Sequence, residues 1–142
     1  MIKIFKSSNF SRYRIAYGES QGIDLASIDD YIIEPLSRKP IRTGIHISLE
    51  KGTFGFIKER SSIALKKGLI AIAGVIDNSY RGEIIVVMYN TNKDEFVKVE
   101  KGEFIAQLLI VKVAEPKEIL EVKTLEELGE TTRGTKGFGS SG

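Results

Sequence analysis

The chain contains no cysteine and only one histidine. A disulfide framework and a thiolate site are thereby excluded, and a zinc centre built on nitrogen and sulfur has no ligand set to use. Any metal must be held by oxygen. Charge of one sign is also lacking: 21 Lys and Arg against 19 Asp and Glu leave a formal net charge of +2. That excess is too small to mark a nucleic-acid footprint by bulk charge, so affinity for phosphate has to be local and no nucleic-acid partner is expected. No stretch reaches the roughly 18 consecutive apolar residues of a membrane span. Met1-Ile2-Lys3-Ile4-Phe5-Lys6 sets lysines among its apolar residues, unlike the uninterrupted apolar stretch of a signal peptide. These absences predict a soluble intracellular protein without a membrane partner; cytoplasm and nucleus are not distinguished.

What is present suffices for one domain. At 142 residues and 15.8 kDa, folding buries about two-thirds of the surface the unfolded chain exposes. Hydrophobic residues at 42% and charged residues at 28% lie in the globular range. The dominant periodicity is two: Ile45, Ile47 and Leu49 alternate with His46, Ser48 and Glu50, and Val97 and Val99 with Lys98 and Glu100. That is the pattern of half-buried strands. Glycines at 44, 52, 55, 68, 74, 82 and 102 punctuate the apolar runs, so many short strands joined by turns are expected. The fold class is all-β, a sandwich, jelly roll or barrel. Helix signals are confined to Ser61–Lys67, ahead of Gly68, and to one turn over Leu125–Leu128.

Two runs, Ile84 to Tyr89 and Phe104 to Val113, are apolar at nearly every position, so both faces of those strands require burial. Either they lie centrally or one face meets another subunit; the expectation is the second. The final fourteen residues differ again, with five of the chain's 14 glycines, several Ser and Thr, Arg133 and a single aromatic, Phe138. Such a segment builds no core. The chain is therefore divided into a domain over 1–128 and a flexible glycine-rich arm over 129–142. Bare amides, hydroxyls and a guanidinium suit a polyphosphate, and an aromatic suits a flat base.

Other segments fit a phosphate ligand. Arg60-Ser61-Ser62 opens the one short helix, where amides, hydroxyls and a guanidinium meet, although Ser is also a common N-cap. Gly74 to Gly82 places the turn Asp77–Arg81 between two apolar runs and reads as a β-hairpin. A carboxylate at its mouth is placed to hold and polarise water, with the flat face of Tyr80 beside it. Asp24 is an acid between apolar neighbours, and Gln107 interrupts an apolar strand and needs a hydrogen-bond partner if buried. His46 is expected to be solvated on the polar face of its strand, and Arg81 to make a structural ion pair.

Five segments, in order, resemble the motifs of the trimeric deoxyuridine triphosphate pyrophosphatase (dUTPase) family: Gly22-Ile23-Asp24-Leu25, Arg60-Ser61-Ser62-Ile63-Ala64, Gly74 through Gly82, Gly102 through Leu108, and Arg133-Gly134 with Gly137 through Gly142. Departures are small: Ser20-Gln21 near the first motif, Glu59 before the arginine where proline is common, and Ser141 for a usual threonine. The resemblance implies a jelly-roll-like distorted barrel of short strands with one short helix, assembled as a homotrimer. It implies hydrolysis of dUTP to dUMP and pyrophosphate with Mg²⁺ on the triphosphate. Asp77 is then the general base, and Asp24 holds Mg²⁺ through water. Ser61, Ser62 and Gln107 contact the α and β phosphates, with Arg60 in support. Arg133, Gly139, Ser140 and Ser141 clasp the γ end. Tyr80 lies against the deoxyribose, main-chain groups around Gly74, Val75, Ile76 and Ile85 read uracil, and Phe138 stacks over it. Three chains build each site. A dCTP deaminase on the same scaffold is disfavoured, because its glutamate after the hairpin corresponds to Val87. A non-catalytic nucleotide-binding regulatory trimer is the remaining alternative.

Overall fold

The computed structural model describes residues 1–15, 18, 21–114 and 118–136. Twelve short strands and one helix follow in chain order: β1 (Lys3–Lys6), β2 (Tyr13–Ile15), β3 (Gly22–Ala26), β4 (Tyr31–Ile33), β5 (Arg38–Arg42), β6 (Ile45–Ser48), β7 (Thr53–Glu59), α1 (Ser61–Lys67), β8 (Leu69–Ile72), β9 (Val75–Ile76), β10 (Ile85–Asn90), β11 (Val97–Val99) and β12 (Phe104–Lys112). A single 3₁₀ turn spans Glu126–Leu128. The strands pair antiparallel in ladders ordered β1-β6, β5-β10-β8, β11-β4 and β2-β3-β12-β7-β9. This is the jelly-roll-like all-β architecture expected, and the ladders close no barrel among the described residues.

The period-two reading holds where it was made. Ile45, Ile47 and Leu49 are buried, as are Val97 and Val99, and together with Leu25, Ile33, Ile41, Ile57, Met88 and Leu108 they form one core. The apolar face of α1 is a single residue, Ile63. Lys66 and Lys67 sit in its last turn, where cations suit the helix dipole. Gly68 ends it at φ 65° with its N–H on the Ala64 carbonyl, a left-handed cap that glycine adopts without a Cβ penalty.

The two doubly apolar runs are covered unequally. Ile84, Val86 and Met88 are fully buried, whereas Ile85, Val87 and Tyr89 on the opposite face are half-buried. On β12, Ile105, Ala106 and Leu108 are buried while Leu109, Ile110 and Val111 keep partial exposure. Ile70, Ile72 and Val75 are exposed too. One chain thus leaves the second face of these strands incompletely packed.

The 74–82 segment departs from a simple hairpin. β8 and β10 do pair, Val87 opposite Ile72 through Asn90 opposite Leu69. At Ala73, φ 54°, the chain leaves β10, and Val75–Ile76 joins the edge of β7 instead. Gly74 makes the crossing possible: the Ile57 N–H donates to its carbonyl at 2.7 Å, and a Cβ there would lie 2.5 Å from the Ile57 oxygen.

Candidate active site

One row of facing residues crosses the five-stranded ladder. Arg14 on β2 pairs with Asp24 on β3, Asp24 with Gln107 on β12, and Gln107 with Lys58 on β7. Facing residues in antiparallel strands project to the same side. Antiparallel register therefore gathers a carboxylate, an amide and cations that the sequence scatters over more than ninety positions.

Around that row the contacts close. Arg14 donates through Nε to Asp24 Oδ2 at 3.1 Å and through Nη2 to the same oxygen. Arg60 Nε lies 3.5 Å from Asp24 Oδ1, and Arg60 Nη1 donates to the Phe104 carbonyl at 3.2 Å. Gln107 Nε2 donates to the Glu59 carbonyl at 3.2 Å. Gly22 leaves room for the Gln107 amide, since a Cβ would stand 3.0 Å from its Oε1. Ser61 and Ser62 are the first residues of α1, and Arg60, extended at φ −79° and ψ 145°, occupies the N-cap without capping the helix through its side chain. The serines therefore do not cap, and the first amides of a helix have no partner within it. Asp24, Arg60, Ser61, Ser62 and Gln107 are brought together at one end of β7.

Glu59, noted in the sequence only as a departure, links this cluster to β8. Its Oε2 accepts the Ala71 N–H at 3.0 Å, and Oε1 stands 3.1 Å from Lys58 Nζ. Burial pushes the Glu59 carboxyl up, but the N–H bonds from Ala71 and from its own backbone, with Lys58 beside it, outweigh burial and leave it below its ordinary value.

The remaining residues gather elsewhere. Continuing the β8–β10 register past Val87–Ile72 would set Ile85 opposite Gly74, and the chain diverges at that point. Gly74, Val75, Ile76 and Ile85 thus flank a fork. β9 is the last strand of its ladder, so its outer main-chain groups have no strand partner among the described residues. Beyond Ile76, Asp77 is exposed, and no hydrogen bond or ion pair among the described residues engages its carboxylate. Its turn is held by Tyr80 N–H on the Asp77 carbonyl and by Asn78, whose Nδ2 donates to Glu50 O at 2.6 Å and Thr53 O at 3.0 Å. Among the described residues Arg81 makes no ion pair: its Nη1 donates to the carbonyls of Asn78 and Tyr80. The Tyr80 hydroxyl donates to Glu83 O at 2.8 Å. His46 is half-buried, keeping part of its ring in solvent, with Nδ1 2.9 Å from Arg81 O and its ring against Phe5.

Asp77 and Arg60 do not meet in one chain. On β7, Gly55 faces Ile76 and Phe56 faces Val75, so Asp77 lies beyond Gly55. From Gly55 to Arg60 is about 17 Å at roughly 3.3 Å per residue. Arg133 sits in an exposed turn with Nε on the Lys136 carbonyl at 2.9 Å. Phe138, Gly139, Ser140 and Ser141 lie outside the described residues. Ile119, Leu120, Leu125 and Leu128 ahead of the arm are exposed.

The dUTPase family model matches residues 9–142. The chain belongs to the dUTPase family. It is 41% identical to the deoxyuridine 5′-triphosphate nucleotidohydrolase of Fowlpox virus, with 99% of this chain and 97% of that protein covered. It is 44% identical to the enzyme of the same name from Corynebacterium jeikeium, over 91% of this chain and 84% of the relative. Among solved structures, the dUTPase of Staphylococcus bacteriophage 80alpha with dUpNHpp superposes with a TM-score of 0.88 at 27% identity, covering 100% of this chain and 98% of that one.

Among the described residues no group of three or more His, Cys, Asp or Glu could hold a metal ion, and no helix is long and apolar enough to cross a membrane. The donor set is one carboxylate, Asp24, beside amides and guanidiniums. That suits Mg²⁺, which keeps most of its water and is held through one or two carboxylates plus substrate phosphates, better than a dedicated protein cage. The sequence reading missed Arg14, Asn78 and Glu59. Glu59 carried a signal as a departure from the family pattern and Asn78 one as a turn former, whereas Arg14 carried none.

Proposed function

We propose that this chain hydrolyses dUTP to dUMP and pyrophosphate, keeping uracil out of DNA and supplying dUMP for thymidylate synthesis, in active sites shared by three copies. The observation that carries the shared site is the separation of Asp77 from Arg60. A triphosphate lying on Ser61, Ser62 and Gln107 of one chain has its α-phosphorus out of reach of that chain's own Asp77. A second copy supplies the carboxylate, and the partly covered outer faces of β8, β10 and β12 suit the contact. The exposed 119–128 stripe and the 129–142 arm then reach a third copy, with Arg133 and Gly139–Ser141 at the γ end and Phe138 over the base.

The chemistry follows from the residues. Asp77 takes a proton from a water molecule, whose oxygen bonds to the α-phosphorus as the bond from that phosphorus to the bridging oxygen breaks. Pyrophosphate leaves with the electron pair. Asp24 would hold Mg²⁺ through water, and the bound ion would supply charge neutralisation on the triphosphate. Arg60 and the amides of Ser61 and Ser62 stabilise charge on the phosphate oxygens, and fixed donors are effective because they need not reorganise. Uracil enters the fork, where main-chain groups of Gly74, Val75, Ile76 and Ile85 imitate a pairing partner; a base with the wrong donor pattern leaves buried polar groups unpaired. Tyr80, tethered to Glu83, crowds the 2′ position. Arm closure excludes water and completes the clamp.

The test is pyrophosphate release from dUTP, dCTP, dTTP and UTP, each with and without Mg²⁺. Release confined to dUTP and enhanced by Mg²⁺ is expected. Ammonia from dCTP indicates a deaminase, and nucleotide binding without turnover indicates a regulatory trimer.

A further inference from the structure

We propose that Arg14, which belongs to none of the five motifs, is a positioning residue for Asp24: it saturates one carboxylate oxygen and directs the remaining acceptor capacity to the other. This deepens the dUTP reading above and rests on it. An ionised carboxylate offers about four lone-pair sites, two on each oxygen. Arg14 Nε and Nη2 both donate to Oδ2 and fill that oxygen. Oδ1 keeps the free capacity, with Arg60 Nε 3.5 Å away. The Asp24 side chain is only 15% exposed, and a carboxylate so far from water needs cationic partners.

The geometry of Arg14 is itself fixed. Cross-strand register sets it opposite Asp24. Its guanidinium lies over the Phe104 ring, 4.6 Å from the centroid, an arrangement the planar guanidinium favours. The carbonyl of the same Phe104 accepts Arg60 Nη1. Phe104 therefore holds Arg14 by its ring, which Arg12 also approaches at 5.2 Å, and Arg60 by its backbone, with Asp24 between Arg14 and Arg60. Two guanidiniums about one carboxylate leave a local positive charge beside the Ser61 and Ser62 amides, where phosphate is expected. Nothing places Arg14 on substrate; it acts through Asp24.

The probe is dUpNHpp, titrated calorimetrically onto the full chain with and without Mg²⁺, together with melting curves and pyrophosphate release. Arg14→Met keeps an apolar stem over Phe104 and removes every donor. Arg14→Lys keeps the charge but places one nitrogen where Arg places two. Loss of a residue that orients a metal-associated ligand typically weakens the metal by about 10- to 100-fold. The gain in dUpNHpp affinity produced by Mg²⁺ is therefore expected to shrink about tenfold or more in Arg14→Met and about threefold or more in Arg14→Lys. Arg14→Met leaves Asp24 with Arg60 alone, so its melting temperature should fall and its affinity without Mg²⁺ should weaken modestly, each less in Arg14→Lys. A merely structural role lowers the melting temperature and leaves the Mg²⁺ gain intact. Either variant retaining the parental Mg²⁺ gain within about twofold overturns the proposal, and Arg14→Lys decides alone if Arg14→Met does not fold. Wild-type protein that releases no pyrophosphate from dUTP refutes the function instead; turnover in the wild type with an unchanged Mg²⁺ gain in the variants refutes only the role of Arg14.

Discussion

Gly74→Ala perturbs the fork proposed to hold the base without altering any side chain assigned to the chemical step. The new Cβ would stand 2.5 Å from the Ile57 carbonyl oxygen and 3.4 Å from the Ile57 carbonyl carbon. Ordinary carbon–oxygen contacts lie near 3.3–3.6 Å, so one backbone must retreat by about 1 Å. β7 cannot retreat, because Ile57 is in the core and its strand is paired along its length to β12. β9 has to move, weakening the Ile57 N–H to Gly74 O bond of 2.7 Å. Overpacking of this kind costs about 1–3 kcal/mol. If that appears as lost population of the binding-competent fork, KM for dUTP rises by roughly 5- to 150-fold. Steady-state kinetics with a melting curve reads both effects. The neighbouring change Ala73→Gly is the control: it removes a methyl from a residue at φ 54°, and the relieved left-handed penalty and the added glycine entropy, each about 1 kcal/mol, nearly offset. A Gly74→Ala protein whose KM stays within about twofold of the parent would refute the reasoning.

Gly82→Ala tests the sugar side: its Cβ would lie 2.5 Å from Tyr80 Cζ, so the ring must swing off its bond to Glu83. Discrimination of dUTP from UTP, read as the ratio of kcat/KM values, should fall about tenfold with little change in melting temperature; an unchanged ratio removes Tyr80 from that role. Glu59→Gln tests the strut to β8. Because the Glu59 carboxyl titrates below its ordinary value of 4.5 in the folded chain, its stabilisation is present above that pH and is lost as pH falls through the folded value. The variant should melt about 2–4 °C lower at neutral pH, for a difference of about 1 kcal/mol, and the gap should close in acid. A gap that widens in acid contradicts the sign.

What could be read in the sequence was local, and what could not depended on register. Gly68 after Lys67 marks the end of α1 because a left-handed cap requires a residue without a Cβ, and the alternations in β6 and β11 announce their buried faces directly. The crossing at Ala73 was not legible: a non-glycine residue at positive φ carries no signal, and the close approach at Gly74 is to Ile57, far away in sequence. Asn78 reads as a turn former, yet its amide anchors the Asp77 turn to Glu50 and Thr53. Arg14 is unremarkable until β2 is set beside β3. The motifs carried the candidate residues in order, but only the β7–β9 register separates Asp77 from Arg60.

That separation is tested most directly by mixing two inactive proteins, Asp77→Asn and Arg60→Ala, under conditions that exchange subunits. Each retains the half-site the other lacks. If every site takes its Arg60 segment and its Asp77 turn from different copies in a closed ring, random one-to-one mixing restores about a quarter of wild-type pyrophosphate release from dUTP, since each of the two required identities occurs about half the time. Mixed oligomers that form yet recover no activity above the unmixed proteins would contradict the shared site and, with it, the assignment of Asp77 as the base acting on a nucleotide held by a neighbour.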